Sequence, residues 1–96
     1  MLIIAGHYSV DATQRDADVE AFRGLVERAR RTPGCLDLAI TADPFEPGRV
    51  DNYERWENEE ALTAFRAIAD PPELDVELVG MQMSKFTIES ESDPFS

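Results

Sequence analysis

The apolar positions of this chain alternate between a two-residue and a three-to-four-residue period, and each change of period marks an element. Leu2, Ile3 and Ile4, followed by Tyr8 and Val10, predict a strand over residues 2–10. Val19, Phe22, Leu25, Val26 and Ala29 then recur at helical spacing, predicting one helix over 16–31. Its acids gather at the start (Asp16, Asp18, Glu20) and its bases at the end (Arg28, Arg30, Arg31), as the helix dipole favours. Pro33-Gly34 stops it. Leu36, Leu38 and Ile40 alternate with Asp37 and Ala39 in a second strand, and the turn residues 43–48 (Asp-Pro-Phe-Glu-Pro-Gly) close a hairpin into a third, over 49–57. Asn58 is a good N-cap for a second helix, whose buried stripe is Ala61, Leu62, Phe65 and Ile68 and which ends near Asp70, before Pro71-Pro72. Residues 73–79 are expected to add a short helical turn, and Gly80 leads into a fourth strand over 81–89.

The order β-α-β-β-α-β predicts an α+β fold of the ferredoxin-like type, an antiparallel sheet with two helices on one face. Residues 1–89 form the single domain, and 90–96 an acidic tail expected to be mobile unless Phe95 docks. Two helices cover only one side of four strands. The other side carries Ile3, Ala5, His7, Tyr53, Arg55, Phe86 and Ile88, too mixed and too apolar for a wet surface. A homodimer packing sheet against sheet resolves this.

Composition narrows the partners. Twenty acids against nine bases give a net charge of −11, which argues against nucleic acid and anionic membranes as partners. One cysteine, Cys35, permits no intrachain disulfide and fits a reducing compartment. The N-terminus reads as a first strand rather than a signal peptide, and no segment approaches the roughly 18 apolar residues of a membrane span. A cytoplasmic protein is expected. One His and one Cys on separate elements make no metal-ligand set, and the five glycines are scattered singly, so neither a metal nor a phosphate-bound cofactor is expected.

The stretch 49–65 is the most unusual. Strand periodicity puts Val50, Asn52, Glu54 and Trp56 on one face and Asp51, Tyr53 and Arg55 on the other, so both faces mix polar and aromatic groups. Pro33-Gly34-Cys35-Leu36, Asp43 with Pro47-Gly48-Arg49, and Glu54-Arg55-Trp56-Glu57 leading to Glu60-Ala61-Leu62 are the residues by which the chain resembles the antibiotic biosynthesis monooxygenase family of dimeric α+β barrels, over about residues 2–89. That family includes cofactor-independent monooxygenases of anthrone- or quinol-like aromatics and haem-degrading enzymes. In the former, an Asn and a Trp four residues apart line the substrate cavity, and Asn52 and Trp56 stand at that spacing. Leu62 stands where those enzymes carry a tyrosine, and Phe65 where many members carry a histidine.

The resemblance implies oxidation of a small aromatic by dioxygen without cofactor. The protein's task is then to bind the flat ring, stabilise an oxyanion and exclude water. Trp56 would wall the slot and Asn52 hold the oxyanion, while Glu54 between them, if buried, would suit a general base. A core tryptophan, a backbone-bonding asparagine and an Arg-paired glutamate explain the same residues without chemistry. His7 is a candidate proton acceptor or a group in the dimer interface. Tyr8 points to the opposite face from His7, so only one of them faces any single cavity. Phe22, Val26, Phe65 and Ile68 would line the pocket or simply pack the core. Haem chemistry is disfavoured because His7 is on the first strand rather than the second helix. Cys35 follows a helix end and reads as an inert thiol. Two further functions stay open: a non-oxidative cyclase or isomerase using Glu54 or His7, and a non-catalytic small-molecule-binding dimer.

Overall fold

The structure, a computed structural model, describes residues 1–74 and 77–96. Four strands, β1 (Leu2–Ser9), β2 (Cys35–Ala42), β3 (Arg49–Trp56) and β4 (Gly80–Thr87), form one sheet in the order β2-β3-β1-β4. Every neighbouring pair is antiparallel. With helices α1 (Arg15–Ala21), α2 (Arg23–Arg30) and α3 (Glu59–Ile68) interleaved, this is the expected ferredoxin-like arrangement.

The first helical stretch is not one helix. At Phe22 the N–H bonds the carbonyl of Val19, a three-residue spacing that tightens the backbone into a single 3₁₀-like step before α2 begins. Gly24, a weak helix former just beyond, offers little resistance to the break. The basic residues predicted for the helix end act there: Arg28 donates to the carbonyls of Ala69 (2.9 Å) and Asp70 (3.2 Å), satisfying the end of α3. Asn58 caps α3 as expected, its Oδ1 accepting from the Ala61 N–H at 2.9 Å.

Alternation along the strands sends Leu2, Ile4, Leu38 and Trp56 toward the helices, where they meet Leu25, Ala29, Leu62 and Phe65 in one buried cluster. Trp56 has no exposed surface, and its ring sits 5.4 Å from that of Phe65. Gly34, at φ 88°, is needed for the turn out of α2, because a Cβ there would run into Ala61. Its carbonyl accepts from the Glu57 N–H at 2.8 Å, tying that turn to the end of β3. Arg15 Nη1 gathers the carbonyls of Asp43, Glu46 and Arg49 at 3.1, 3.1 and 2.9 Å, anchoring the β2–β3 hairpin to the start of α1.

Three further expectations change. A bulge between Cys35 and Asp37 breaks the alternation of β2 and leaves Leu36 44 % exposed. Ile68 is 69 % exposed: it is the last residue of α3 and has turned past the sheet edge, so the buried stripe ends at Phe65. Residues 73, 74 and 77–79 carry no helical turn, and the remainder of that expected turn lies outside the described residues. Phe95, 95 % exposed, docks on nothing among the described residues.

Candidate functional site

Asn52, Glu54 and Trp56 do share the helix-facing side of β3, and the structure brings them together. Glu54 Oε2 accepts from Asn52 Nδ2 and Oε1 from Trp56 Nε1, each at 3.1 Å. One carboxylate thus orients both members of the Asn/Trp pair. The indole N–H is committed to Glu54, and Trp56 itself is sealed in the core. Glu54 has no arginine partner among the described residues, so the Arg-paired reading of it falls.

His7 stands apart. It pairs in register with Asp51 and Gln82 and projects, with Ile3 and Ala5, from the open face of the sheet. It therefore cannot join Asn52, Glu54 and Trp56 in one site within this chain. The expected pocket residues separate as well. Phe65 is core against Trp56, Ile68 is solvent-facing, and Phe22 and Val26 line two different cavities.

The cavity with Phe22 has a volume of about 290 Å³ and lies beneath the connection from α3 to β4. Its floor is Tyr8 of β1, its side Asp18 of α1 with Phe22, and its partial roof Pro72, Leu74 and Leu78, with Met81 of β4 and Val10 at the ends; Leu78 and Met81 are more than half exposed, so the cavity opens to solvent. Among the described residues the side chains of the wall are apolar except at one place. There the Tyr8 hydroxyl donates to Asp18 Oδ2 at 2.8 Å, and Asp18 is only 3 % exposed. Burial, then the hydrogen bond to Asp18 and then its charge, push the Tyr8 phenol far above the usual tyrosine range. Tyr8 is therefore a neutral hydroxyl at any physiological pH.

The second cavity, about 310 Å³, is a charged groove between α1–α2 and β2. Val26 and Ile40 floor it, and Arg23 bridges Glu20 and Glu27 across its rim at 3.7 and 3.6 Å. These ion pairs are solvated and contribute little to stability. On Cys35, burial first and then the charges of Asp37 and Glu54 push the thiol up, in keeping with an inert group.

Sequence reasoning passed over Tyr8 and Asp18 as a pair. The signal was present: Asp18, Phe22, Leu25 and Ala29 follow one another at spacings of four, three and four, which puts an acid on the buried stripe. An acid there requires a partner, and Tyr8 is the one polar side chain that β1 turns toward the helices. Asn52 is not far away. It pairs with Gly6, which places it diagonal to Tyr8 on the same face, roughly 7–8 Å off by sheet geometry. Among the described residues no group of three metal-ligating side chains forms, and no helix is long and apolar enough to cross a membrane.

The sequence profile of one family, antibiotic biosynthesis monooxygenase, matches residues 1–69. No curated protein matches the chain. Among solved structures, a candidate antibiotic biosynthesis monooxygenase from Nitrosomonas europaea is similar at 19 % identity and TM-score 0.71, covering 94 % of this chain and 100 % of its own. Another candidate from Deinococcus radiodurans is similar at 16 % identity and TM-score 0.69, covering 97 % of each chain. The haem degrader MhuD of Mycobacterium tuberculosis, with two haems in its active site, is similar at 15 % identity and TM-score 0.67, covering 97 % of this chain and 100 % of its own. At these identities the likeness to the solved structures is one of fold.

Proposed function

The chain belongs to the antibiotic biosynthesis monooxygenase family, and from that premise we propose that it oxidises a small aromatic ketone or quinol of the anthrone type with dioxygen and no cofactor. The observation that carries the reading is a cavity whose described lining is apolar but for one polar pair. Its 290 Å³ falls at the small end of the roughly 300–1,000 Å³ of ligand pockets, a fit for a few fused rings. With an anthrone, the ring CH₂ becomes C=O while one dioxygen delivers one oxygen atom to that carbon and leaves the other as water. The substrate supplies all four electrons, so no outside reductant is needed. Before oxygen reacts, the CH₂ must lose a proton, and the resulting charge spreads onto the ketone oxygen. Asn52, diagonal to Tyr8 on the same sheet face and outside the cavity lining, is the amide that would bond that oxyanion once it turns from Glu54.

Anthrone incubated with the protein under air should consume one dioxygen per molecule oxidised. Asn52→Ala should slow this about a hundredfold, the usual cost of one missing oxyanion donor. Absence of protein-dependent oxygen uptake across a panel of anthrones and quinols would end the proposal. A histidine-ligated haem does not suit this chain, because its one histidine lies on the far side of the sheet from the cavity.

The active form is a homodimer. Its contact is the uncovered sheet face, where Ile3, Ala5, Tyr53 and the half-exposed Phe86 make an apolar patch with His7 and Arg55 set into it. Sedimentation at micromolar concentration should return twice the chain mass, and Phe86→Glu should return one. A wild-type chain that sediments as a folded monomer contradicts the dimer.

A further inference from the structure

We propose that Tyr8 and Asp18 form a two-residue proton relay that removes the acidic ring proton of the substrate, with Tyr8 touching the substrate and Asp18 receiving the proton behind it. The inference rests on the anthrone-type reading above and assigns the base which that chemistry requires. Glu54 is occupied by Asn52 and Trp56 and lies outside the cavity wall, and His7 is on the other face. Within the cavity, β1 contributes Tyr8 and α1 contributes Asp18; Phe22, Pro72, Leu74, Leu78, Met81 and Val10 cannot ionise. Among the described residues no other titratable group faces the bound ring.

The geometry sets the direction of transfer. Tyr8 already donates its hydroxyl hydrogen to Asp18 Oδ2, so its oxygen lone pairs are what remains to be offered to a ligand on the cavity floor. A substrate C–H directed at that oxygen is broken as a new Tyr8 O–H bond forms. In the same step the original Tyr8 O–H bond breaks and an Asp18 O–H bond forms. The substrate keeps the electron pair as a delocalised anion, Tyr8 is regenerated, and Asp18 becomes a neutral acid. Because the two transfers are concerted, Tyr8 never carries charge, as its strong resistance to ionisation demands. A pair serving only to pin α1 onto β1 would have no cause to form, among the described residues, the polar patch of an otherwise apolar lining.

The test uses anthrone in deuterated buffer under nitrogen, following loss of its methylene proton signal by NMR. Without oxygen, only proton removal is read. The wild-type protein should accelerate exchange above the buffer rate, with a rate that does not climb with hydroxide. Asp18→Asn keeps an acceptor for the Tyr8 hydroxyl but cannot take a proton, so exchange should fall about a hundredfold. What remains should climb about tenfold per pH unit as hydroxide takes over. A circular dichroism spectrum matching the wild type excludes a merely structural lesion in this variant. Tyr8→Phe should lose the acceleration too.

Either variant exchanging at the wild-type rate overturns the relay. So does wild-type exchange no faster than buffer, or a wild-type rate that tracks hydroxide, and these need no variant to fold. The outcomes also separate the relay from the oxidation. Oxygen uptake without accelerated exchange removes the relay alone. Accelerated exchange without oxygen uptake keeps the relay and makes the protein a proton-moving isomerase or cyclase.

Discussion

Trp56→Ala is expected to destabilise the domain by about 3–5 kcal/mol, the range for deleting a fully buried large aromatic. Small domains have about 5–15 kcal/mol in total, so much of the population should unfold near physiological temperature. Three losses combine. The ring is fully enclosed, its stacking partner Phe65 at 5.4 Å would face a void, and Glu54 would lose the indole N–H that bonds one of its oxygens. Urea denaturation followed by circular dichroism measures the change. Trp56→Phe helps to separate the terms, since it keeps most of the apolar volume while removing the N–H. If the alanine variant lost less than about 1 kcal/mol, Trp56 would not be the centre of this core.

Gly6→Ala should have the next largest effect, and a more localised one. Gly6 sits at φ 153°, where a side chain is disfavoured, and a Cβ there would strike the backbone carbonyl of Gln82 on β4. Strain of about 1–3 kcal/mol adds to the displacement of the strand. The expected result is separation of β4 from β1, with β4 amides exchanging hydrogen far faster while the β2–β3 pairing stays protected. Met81 would move with β4, opening the cavity, so ligand binding should fall more than overall stability. Uniform exchange across all four strands would contradict this account.

How much of this was legible in the sequence depends on whether a residue answers to its neighbours in the chain or to those in space. Asn58 as a cap, Gly34 as a stop and the alternation of Leu2, Ile4 and Leu38 are settled within a few residues, and all were readable. The break at Phe22 was not, because the periodicity of Val19, Phe22, Leu25 and Val26 runs through it undisturbed. The bulge at Cys35–Asp37 is likewise invisible to alternation, which predicts only its absence. For the site, the strand face shared by Asn52, Glu54 and Trp56 was legible from period two. Their mutual bonding was not, since an alternating pattern says which side a group is on and nothing about what it bonds. Asp18 shows the converse. Counted as one of several acids at a helix start, it looks like a contribution to the dipole, and only its phase on the buried stripe gives it away.

The cavity is built of unequal parts. Tyr8, Asp18 and Phe22 belong to the sheet and the first helical stretch, whereas Pro72, Leu74 and Leu78 lie between α3 and β4 and are themselves in neither helix nor strand. A change of side chain in the roof disturbs no ladder hydrogen bond and no member of the buried cluster. Which molecule is admitted and whether the domain stays folded are therefore carried by different residues. Selection can retune the first without endangering the second, and three positions in this stretch offer a route by which one scaffold comes to serve many aromatic ligands.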